Sequence, residues 1–334
     1  MPPPVRRSAL VAFATFTVAL LFAGAAFAGN GGVAPPEPAS PTAGHIRDVY
    51  WLILGITGGI FLLVATTLIV FIVRYRSHGR PREIEGPQVR GHTNLELAWT
   101  AGPVVVLAII AGFVFWQVSD IGGAPGSSAN TGPPAREQIR VEGVQYYWEY
   151  VYPNGAISVG RLRLPYQRAV RLKIEGDDVA HSWWVPALAG KLDAIPGKTN
   201  YLSFRPTKLG TFRGQCAEFC GLLHAEMATQ VEVLPAATYD AWVRKRASDQ
   251  LALGKETYQG VCAECHGLAG QGGVGPNIAQ NPLLGDRAGI SRLIRNGGIK
   301  MPAVGKDWPK QQLAATIAYL RQRFVQRSGG GGQG

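Results

Sequence analysis

The chain has 334 residues, 46% of them hydrophobic and 16% charged, with a formal net charge of +11, long enough for two modest folded domains and membrane anchors. That positive balance suits an acidic partner or an anionic surface but does not specify a fold. Lys and Arg are scattered, with no dense basic block and no nucleic-acid motif, so no nucleic-acid partner is expected.

Residues 1–28 read as a secretory signal. Arg6 and Arg7 precede an apolar stretch ending at Phe27, and Ala26-Phe27-Ala28 has the small-x-small form of a cleavage site. The stretch is long for a signal, so an uncleaved anchor stays open. Residues 29–46 form a Gly-, Pro- and Ala-rich lead-in. Val49 to Val73 and Leu97 to Ser119 then run 25 and 23 residues without a charge, each enough to cross a hydrocarbon core of roughly 30 Å as a helix. Tyr50, Trp51, Trp99 and Trp116 flank the runs, so a transmembrane hairpin over 47–119 is expected in place of two buried soluble helices. Between them lie Arg74, Arg76, Arg80, Arg82 and Arg90, while the outer flanks are nearly free of basic residues. The positive-inside rule puts this loop in the cytoplasm and everything after residue 120 outside. The expected location is therefore the bacterial inner membrane, multi-pass, with the soluble domains on the periplasmic side. Pro103 would tend to kink the second span.

Residues 120–135 are a linker by composition. From 136 to 234 the runs Gln138–Val144, Ile157–Leu164 and Val170–Ile174 alternate or cluster β-formers between turn residues, which predicts a small β-sandwich or barrel. Residues 235–250 read as a connecting helix, 251–327 as an all-α domain, and the Gly-rich 328–334 as a disordered tail.

The scarce residues carry the chemistry. The four Cys are Cys216, Cys220, Cys262 and Cys265, and apart from Met1 the methionines are Met227 and Met301. With His45, His78 and His92 in the membrane-side segments, only His181, His224 and His266 remain for the back half. Soft ligands this rare and this clustered suggest metal sites. Two disulfides in an exported protein are the plain alternative.

Cys262-Ala-Glu-Cys265-His266 is a C-x-x-C-H motif. Two thiols one helical turn apart can bond to the two vinyl groups of one haem, and the adjacent His then lies under the iron. A redox or zinc CxxC is the plain alternative, against which the His immediately after and the expected export favour haem. Met301 is the candidate sixth ligand, and Met/His ligation raises the haem potential; the alternative is a core Met. The surrounding pattern resembles class I cytochromes c: Gly254 and Tyr258 on a first helix, Leu313, Ile317, Tyr319 and Leu320 on a last one, and Gly275-Pro276-Asn277 like the loop that packs against the haem His.

Cys216-Ala-Glu218-Phe-Cys220-Gly-Leu-Leu-His224-Ala-Glu-Met227 is the strongest signal. Two thiolates four residues apart can bridge two copper ions, His224 can cap one and Met227 adds a weak thioether. His181, in Asp178-Val-Ala-His181-Ser-Trp183, is the remaining candidate for the second imidazole. A structural zinc site of two Cys and two His would leave Met227 and Glu218 without a role.

These strings, with Lys191-Leu-Asp193-Ala-Ile-Pro-Gly between them, resemble subunit II of the haem-copper oxidases, here of the caa type with a fused cytochrome c domain. The resemblance implies two transmembrane helices and a cupredoxin domain bearing dinuclear CuA. Its ligands would be His181, Cys216, Glu218 through its backbone carbonyl, Cys220, His224 and Met227. It also implies a magnesium ion on the Glu218 side chain, shared with subunit I. Glu96 matches a Glu at the mouth of a proton path, with an interfacial Glu as the bland alternative. Tyr146, Tyr147 and Trp148 match the aromatic string where soluble cytochrome c delivers its electron, although the family usually has Trp at the position of Tyr146. A tethered cytochrome domain explains that departure, since a short linker gives an effective concentration of about a millimolar. A cross-strand aromatic cluster is the alternative.

The expected function is electron input to a terminal oxidase. Electrons would pass from a cytochrome c donor through haem c and CuA to subunit I, which reduces oxygen and pumps protons. No catalytic residue is expected in this chain. The alternatives are the same subunit in a CuA-type nitric oxide reductase, or a membrane-tethered binding module with structural zinc and disulfides. A quinol-oxidising relative would lack the Cys216/Cys220 pair.

Overall fold

The computed structural model describes residues 34–76, 88, 90–118, 137–279 and 281–325. The expected signal (1–28), Arg80, Arg82, the linker (120–135) and the tail (328–334) lie outside the described residues. The chain divides into two compact units, one holding Gly44–Ile121 and the other Pro36–Ala43 with Gly122–Gly334.

The first unit is a helical hairpin of α1 (Pro41–Tyr75) and α2 (Thr93–Val118), with mean hydropathy of 2.6 and 2.2. Helix α1 opens with Pro at its first position behind Ser40, whose Oγ accepts the Ala43 N–H at 3.0 Å. Thr57 and Thr67 donate to the carbonyls of Ile53 and Leu63 at 2.8 Å, which removes two hydroxyls from an otherwise apolar surface. Phe61, Leu63, Ile72, Leu107 and Phe115 stand exposed along both helices, a surface that water penalises and lipid accepts. His45 Nδ1 lies 3.1 Å from Gln117 Oε1, joining the start of α1 to the end of α2. Helix α2 runs through Pro103. The Glu96 carboxylate accepts the His92 backbone N–H at 3.0 Å, so Glu96 caps the exposed amides that begin α2 and places its negative charge at the positive end of the helix.

The β domain of the second unit packs two five-stranded sheets face to face. One contains β1 (Glu137–Val144), β2 (Tyr147–Val151), β3 (Ile157–Val159), β5 (Val170–Gly176) and β8 (Asn200–Phe204), in the order β3-β2-β1-β5-β8. The other contains β4 (Arg161–Pro165), β6 (His181–Trp184), β7 (Leu192–Ala194), β9 (Gly210–Cys216) and β10 (Ala228–Leu234), in the order β4-β10-β9-β6-β7. Alternation sets the inner faces: Val170, Leu172 and Ile174 of β5 are buried, as are Val231 and Val233 of β10. They enclose Trp148, Tyr150, Trp183 and Phe204. Two of these polar tips are paired, with Trp183 Nε1 donating to Tyr150 Oη at 3.1 Å and Tyr150 Oη 2.5 Å from Thr229 Oγ1, whereas Trp148 Nε1 finds no partner. The run Ile157–Leu164 is two strands. Gly160, at φ +69°, breaks it and sends the chain from one sheet to the other.

Helix α3 (Ala236–Arg246) lies on the sandwich through Tyr239 and Trp242, with the Arg163 guanidinium 4.6 Å from the Trp242 ring centre. Asp249 caps α4 (Gln250–Thr257), accepting the Ala252 N–H at 3.0 Å. A wide turn over 258–262 leads to α5 (Ala263–His266), followed by α6 (Arg287–Asn296) and α7 (Lys310–Phe324). Gly254 is where α4 crosses α7: a Cβ there would meet the Ala315 carbonyl oxygen at 2.1 Å.

The helical domain is fastened to the sandwich. Arg246, 4% exposed, donates to the Ile157 carbonyl at 2.8 Å and to Glu256 at 2.6 Å. Glu256 also takes Arg163 at 3.3 Å and the Ser158 hydroxyl at 3.0 Å. Gln312 of α7 donates to the buried Glu149 of β2 at 2.6 Å. The helical domain, tethered in sequence by the 235–250 segment, is thus also docked on the sandwich.

Two predictions follow from this packing. Gly254→Ala forces apart two crossing backbones, so it should destabilise the helical domain by about 1–3 kcal/mol, measured by thermal unfolding of the full chain. Glu149 is raised from 4.5 to about 7, first by burial and then by Glu142 and Asp177, against the Gln312 hydrogen bond and Arg140. A raised folded-state pKa stabilises below the unfolded value and is lost as pH rises. The stability lost between about pH 4.5 and 7 should be up to about 3 kcal/mol, and Glu149→Gln should flatten that slope. Denaturant unfolding across that range checks it; an equally steep slope in the variant would contradict the assignment.

Candidate metal centres

The first centre sits where β6 meets β9. Trp183 pairs with Cys216 across the two strands, which brings the first residue of β6, His181, to the end of β9. His181 is fully buried, and Cys216, Cys220 and Met227 are nearly so. One ligand atom each from His181, Cys216 and Cys220 lies within 4.8 Å of the others. Cys216 Sγ is 3.9 Å from His181 Nδ1 and 3.2 Å from the Glu218 carbonyl oxygen. Cys220 Sγ is 3.4 Å from His224 Nδ1 and 3.8 Å from Met227 Sδ. All six residues singled out in the sequence therefore converge, Glu218 through its backbone. Both cysteines are free thiols, so a disulfide does not account for the pair.

The electrostatics suit a cation. Burial opposes ionising Cys216, but contacts with His181, Ser182 and Glu218 outweigh it and hold the thiol below its usual range. Burial, and then the neighbouring Cys216, push Cys220 up. The bare pair thus gives up one proton readily and the second only with difficulty, the behaviour expected where a multiply charged metal would compensate two adjacent thiolates. Two sulfurs, two imidazoles, a thioether and a carbonyl form a soft donor set that fits copper.

Asp178 organises this centre. Its Oδ1 lies 2.9 Å from His181 Nε2, which fixes the ring and leaves Nδ1 facing Cys216. The same carboxylate accepts the amides of Gln145 and Val179 at 2.7 Å, and Gln145 Nε2 donates to the Cys220 carbonyl at 2.6 Å. Sequence reasoning quoted Asp178 within its string but assigned it no role; an acid three residues before a candidate ligand was the available signal. The Glu218 side chain points outward, where Lys191 Nζ approaches it at 3.5 Å and Asp193 at 3.2 Å. Of the aromatic string, Tyr146 accepts the Leu222 N–H at 3.1 Å, and Trp148 lies edge-on to His181 with ring centres 6.0 Å apart. Tyr147 faces the helical domain instead, within its apolar cluster.

The second centre lies in the helical domain. Cys262 and Cys265 are free thiols on one helical turn, each kept protonated first by burial. His266 Nδ1–H donates to the Pro276 carbonyl at 2.8 Å, which leaves Nε2 as the ligand atom. Gly275 permits this approach, because a Cβ there would meet His266 Cε1 at 2.9 Å. Met301 packs with Cys262, Ala263 and Ile278 on one apolar cluster. Its loop is pinned by Arg295, whose guanidinium donates to the Gly305 and Lys306 carbonyls at 2.9 and 2.7 Å. Leu268, Val274 and Ile299 stand exposed on the flanking loops. Two thiols, an oriented imidazole, a Met and uncovered apolar side chains fit a covalently attached haem.

Three family models match the chain: cytochrome c oxidase subunit II, transmembrane domain, over 29–116; the periplasmic domain of the same subunit over 157–234; and cytochrome c oxidase, cbb3-type, subunit III, over 249–320. The cytochrome c oxidase subunit 2 of Alkalihalophilus pseudofirmus is 31% identical over 322 residues, covering 86% of this chain and 90% of the relative. That of Synechocystis sp. is 30% identical, covering 64% of this chain and 75% of the relative. The crystal structure of the periplasmic domain of subunit II of cytochrome oxidase from Bradyrhizobium japonicum is 31% identical, with a TM-score of 0.33, over 34% of this chain and 95% of that one.

If Asp178 orients His181, Asp178→Ala should weaken copper binding by about 10- to 100-fold. Competition with a copper chelator reads this directly, and unchanged affinity would remove Asp178 from the site.

Proposed function

Because this chain belongs to the cytochrome c oxidase subunit II family, we propose that it delivers electrons one at a time from a cytochrome c donor to subunit I of a haem-copper oxidase. The observation that carries the reading is the convergence of His181 with the thiols of Cys216 and Cys220, backed by His224, Met227 and the Glu218 carbonyl. A copper pair there and a covalent haem in the helical domain would each supply a one-electron redox site.

The residues of this chain place and tune those sites. Cys216, Cys220, His181, His224, Met227 and the Glu218 carbonyl would hold the copper. Asp178 keeps His181 in one tautomer, and burial excludes water from the sulfurs. Closed packing around the ligands resists rearrangement when the charge changes, which favours fast transfer. Cys262 and Cys265 would hold the haem covalently, and His266 and Met301 would serve as its iron ligands. The outward Glu218 side chain is available to a magnesium ion shared with subunit I, and the exposed Phe219 and Leu222 on the same loop offer that subunit an apolar contact. Glu96 would serve the mouth of a proton path as well as capping α2. The apolar faces of α1 and α2 would sit in the inner membrane, with the second unit in the periplasm. The boundaries expected from sequence, 136–234 for the copper domain and 251–327 for the cytochrome domain, belong to this proposal.

A visible and near-infrared spectrum with metal analysis of the purified chain should show about two coppers and one covalent haem. Zinc in place of copper, or no covalent haem, would overturn the reading. Oxygen against nitric oxide consumption by the complex that co-purifies with the chain then separates an oxidase from a nitric oxide reductase.

A further inference from the structure

Trp308 belongs to neither ligand set, yet it stands between them. It lies on the loop that continues from Met301, buried to 5% exposure. Gly305 gives it room, since a Cβ there would meet the indole Cε3 at 2.8 Å. The indole N–H donates to Tyr147 Oη at 2.9 Å, and that hydroxyl lies 3.4 Å from the Val304 carbonyl of the same loop. Tyr147 is 4% exposed and its neighbour Trp148 is fully buried. Trp148 in turn meets the His181 ring, with centres 6.0 Å apart at 66°. Gly143, opposite Trp148 in the β1–β2 register, makes that approach possible: a Cβ there would meet His181 Cδ2 at 3.0 Å and Trp148 Cζ3 at 3.1 Å. The Trp308–Tyr147 hydrogen bond and the Trp148–His181 ring contact thus lie on opposite faces of β2 and are joined through the peptide bond between residues 147 and 148, a route from the Met301 loop to the ring facing Cys216.

We propose that Trp308 is the residue that couples the cytochrome domain electronically to the copper site, by way of Tyr147 and Trp148. This rests on the functional reading given above. In the transfer, one electron leaves a ferrous haem iron, which becomes ferric, and reduces the oxidised copper pair by one. The aromatic residues stay closed-shell and lose no proton; the indole–phenol hydrogen bond holds them in register. Tunnelling through bonded and π-contacting groups decays less steeply than through a gap, so a residue bridging the seam governs the rate without binding either metal.

The test uses the full chain in its membrane complex, with an electron injected by a photoreduced ruthenium complex. Optical absorption follows haem oxidation and copper reduction. Trp308→Phe keeps a ring, Trp308→Leu removes it, and Gln312→Ala weakens the seam without touching the aromatic series. Amide exchange over 145–149 and 304–313 in the cofactor-free chain reports how far each variant loosens the seam. The expected result is transfer slowed by about tenfold or more in Trp308→Leu and only a few-fold in Trp308→Phe. The Leu variant should also be slower than Gln312→Ala when the two are compared at matched loss of protection, with haem and copper potentials unchanged. Parent-like transfer in Trp308→Leu, or slowing equal to that of Gln312→Ala at matched protection, would overturn the proposal. A parent chain without haem or copper bands would instead overturn the underlying functional reading, before any variant is compared.

Discussion

The pairing of β6 with β9 is the constraint on which the metal chemistry rests. It sets Trp183 against Cys216 and Trp184 against Gln215, and the Ala217 N–H to Ser182 carbonyl bond of 2.8 Å extends it into the Cys loop. Cys216 N–H donates to the Met227 carbonyl at 2.9 Å, closing the loop onto β10. Three stretches distant in sequence are thereby fixed around one point. A slip of one residue would turn every side chain of the strand to the opposite face and carry His181 away from the thiols. Since both sheets bury one face in a common core, that slip would also expose Trp183 and bury polar residues. The hydrophobic pattern that folds the sandwich therefore fixes the ligand geometry as well.

A second constraint is the charged seam between sandwich and helices. Buried ion pairs gain little net stability, because desolvation offsets their attraction, but leaving one partner unpaired is costly. Arg246, Glu256 and Arg163 satisfy one another only in the docked arrangement, so they select an orientation more than they strengthen it. The arrangement differs from a domain held only by a linker. Effective-concentration arithmetic describes partners that separate and meet again; here the spacing of the two centres is set by packing, and Glu149 adds a carboxylate whose ionisation opposes the closed state.

The local motifs were legible because metal ligation needs close spacing: Cys216 to Met227 occupy one loop, and Cys262 to His266 one helical turn. His181 was reachable by elimination, since few histidines lie outside the membrane-side segments. The second layer was not. Asp178, Gln145 and the Glu149–Gln312 pair act through contacts 33 to 163 residues apart, and each is an ordinary polar residue without its partner. Trp308 reads as one more core aromatic until Tyr147 is placed beside it. The strand break at Gly160 was hidden for a related reason: alternation shows which residues face inward but is silent about which sheet they face from. Helix caps were likewise partly concealed, because Glu96 suggests a proton path by position and shows its capping role only through the His92 amide.

The departure at Tyr146 gains a physical account from these contacts. Its hydroxyl accepts the Leu222 amide beside Gly221, and Gly221, at φ +127°, has no room for a side chain because a Cβ would lie 2.8 Å from that hydroxyl. The phenol thus braces the Cys loop, a bond that an indole, with only an N–H to donate, is unable to make to a backbone amide. Tyr147 is covered by the helical domain and Trp148 by the sandwich core. Trp148 is therefore committed to the sandwich core, Tyr147 to the joint with the helical domain, and Tyr146 to the loop. Tyr147 is therefore reached from solution only past the helical domain.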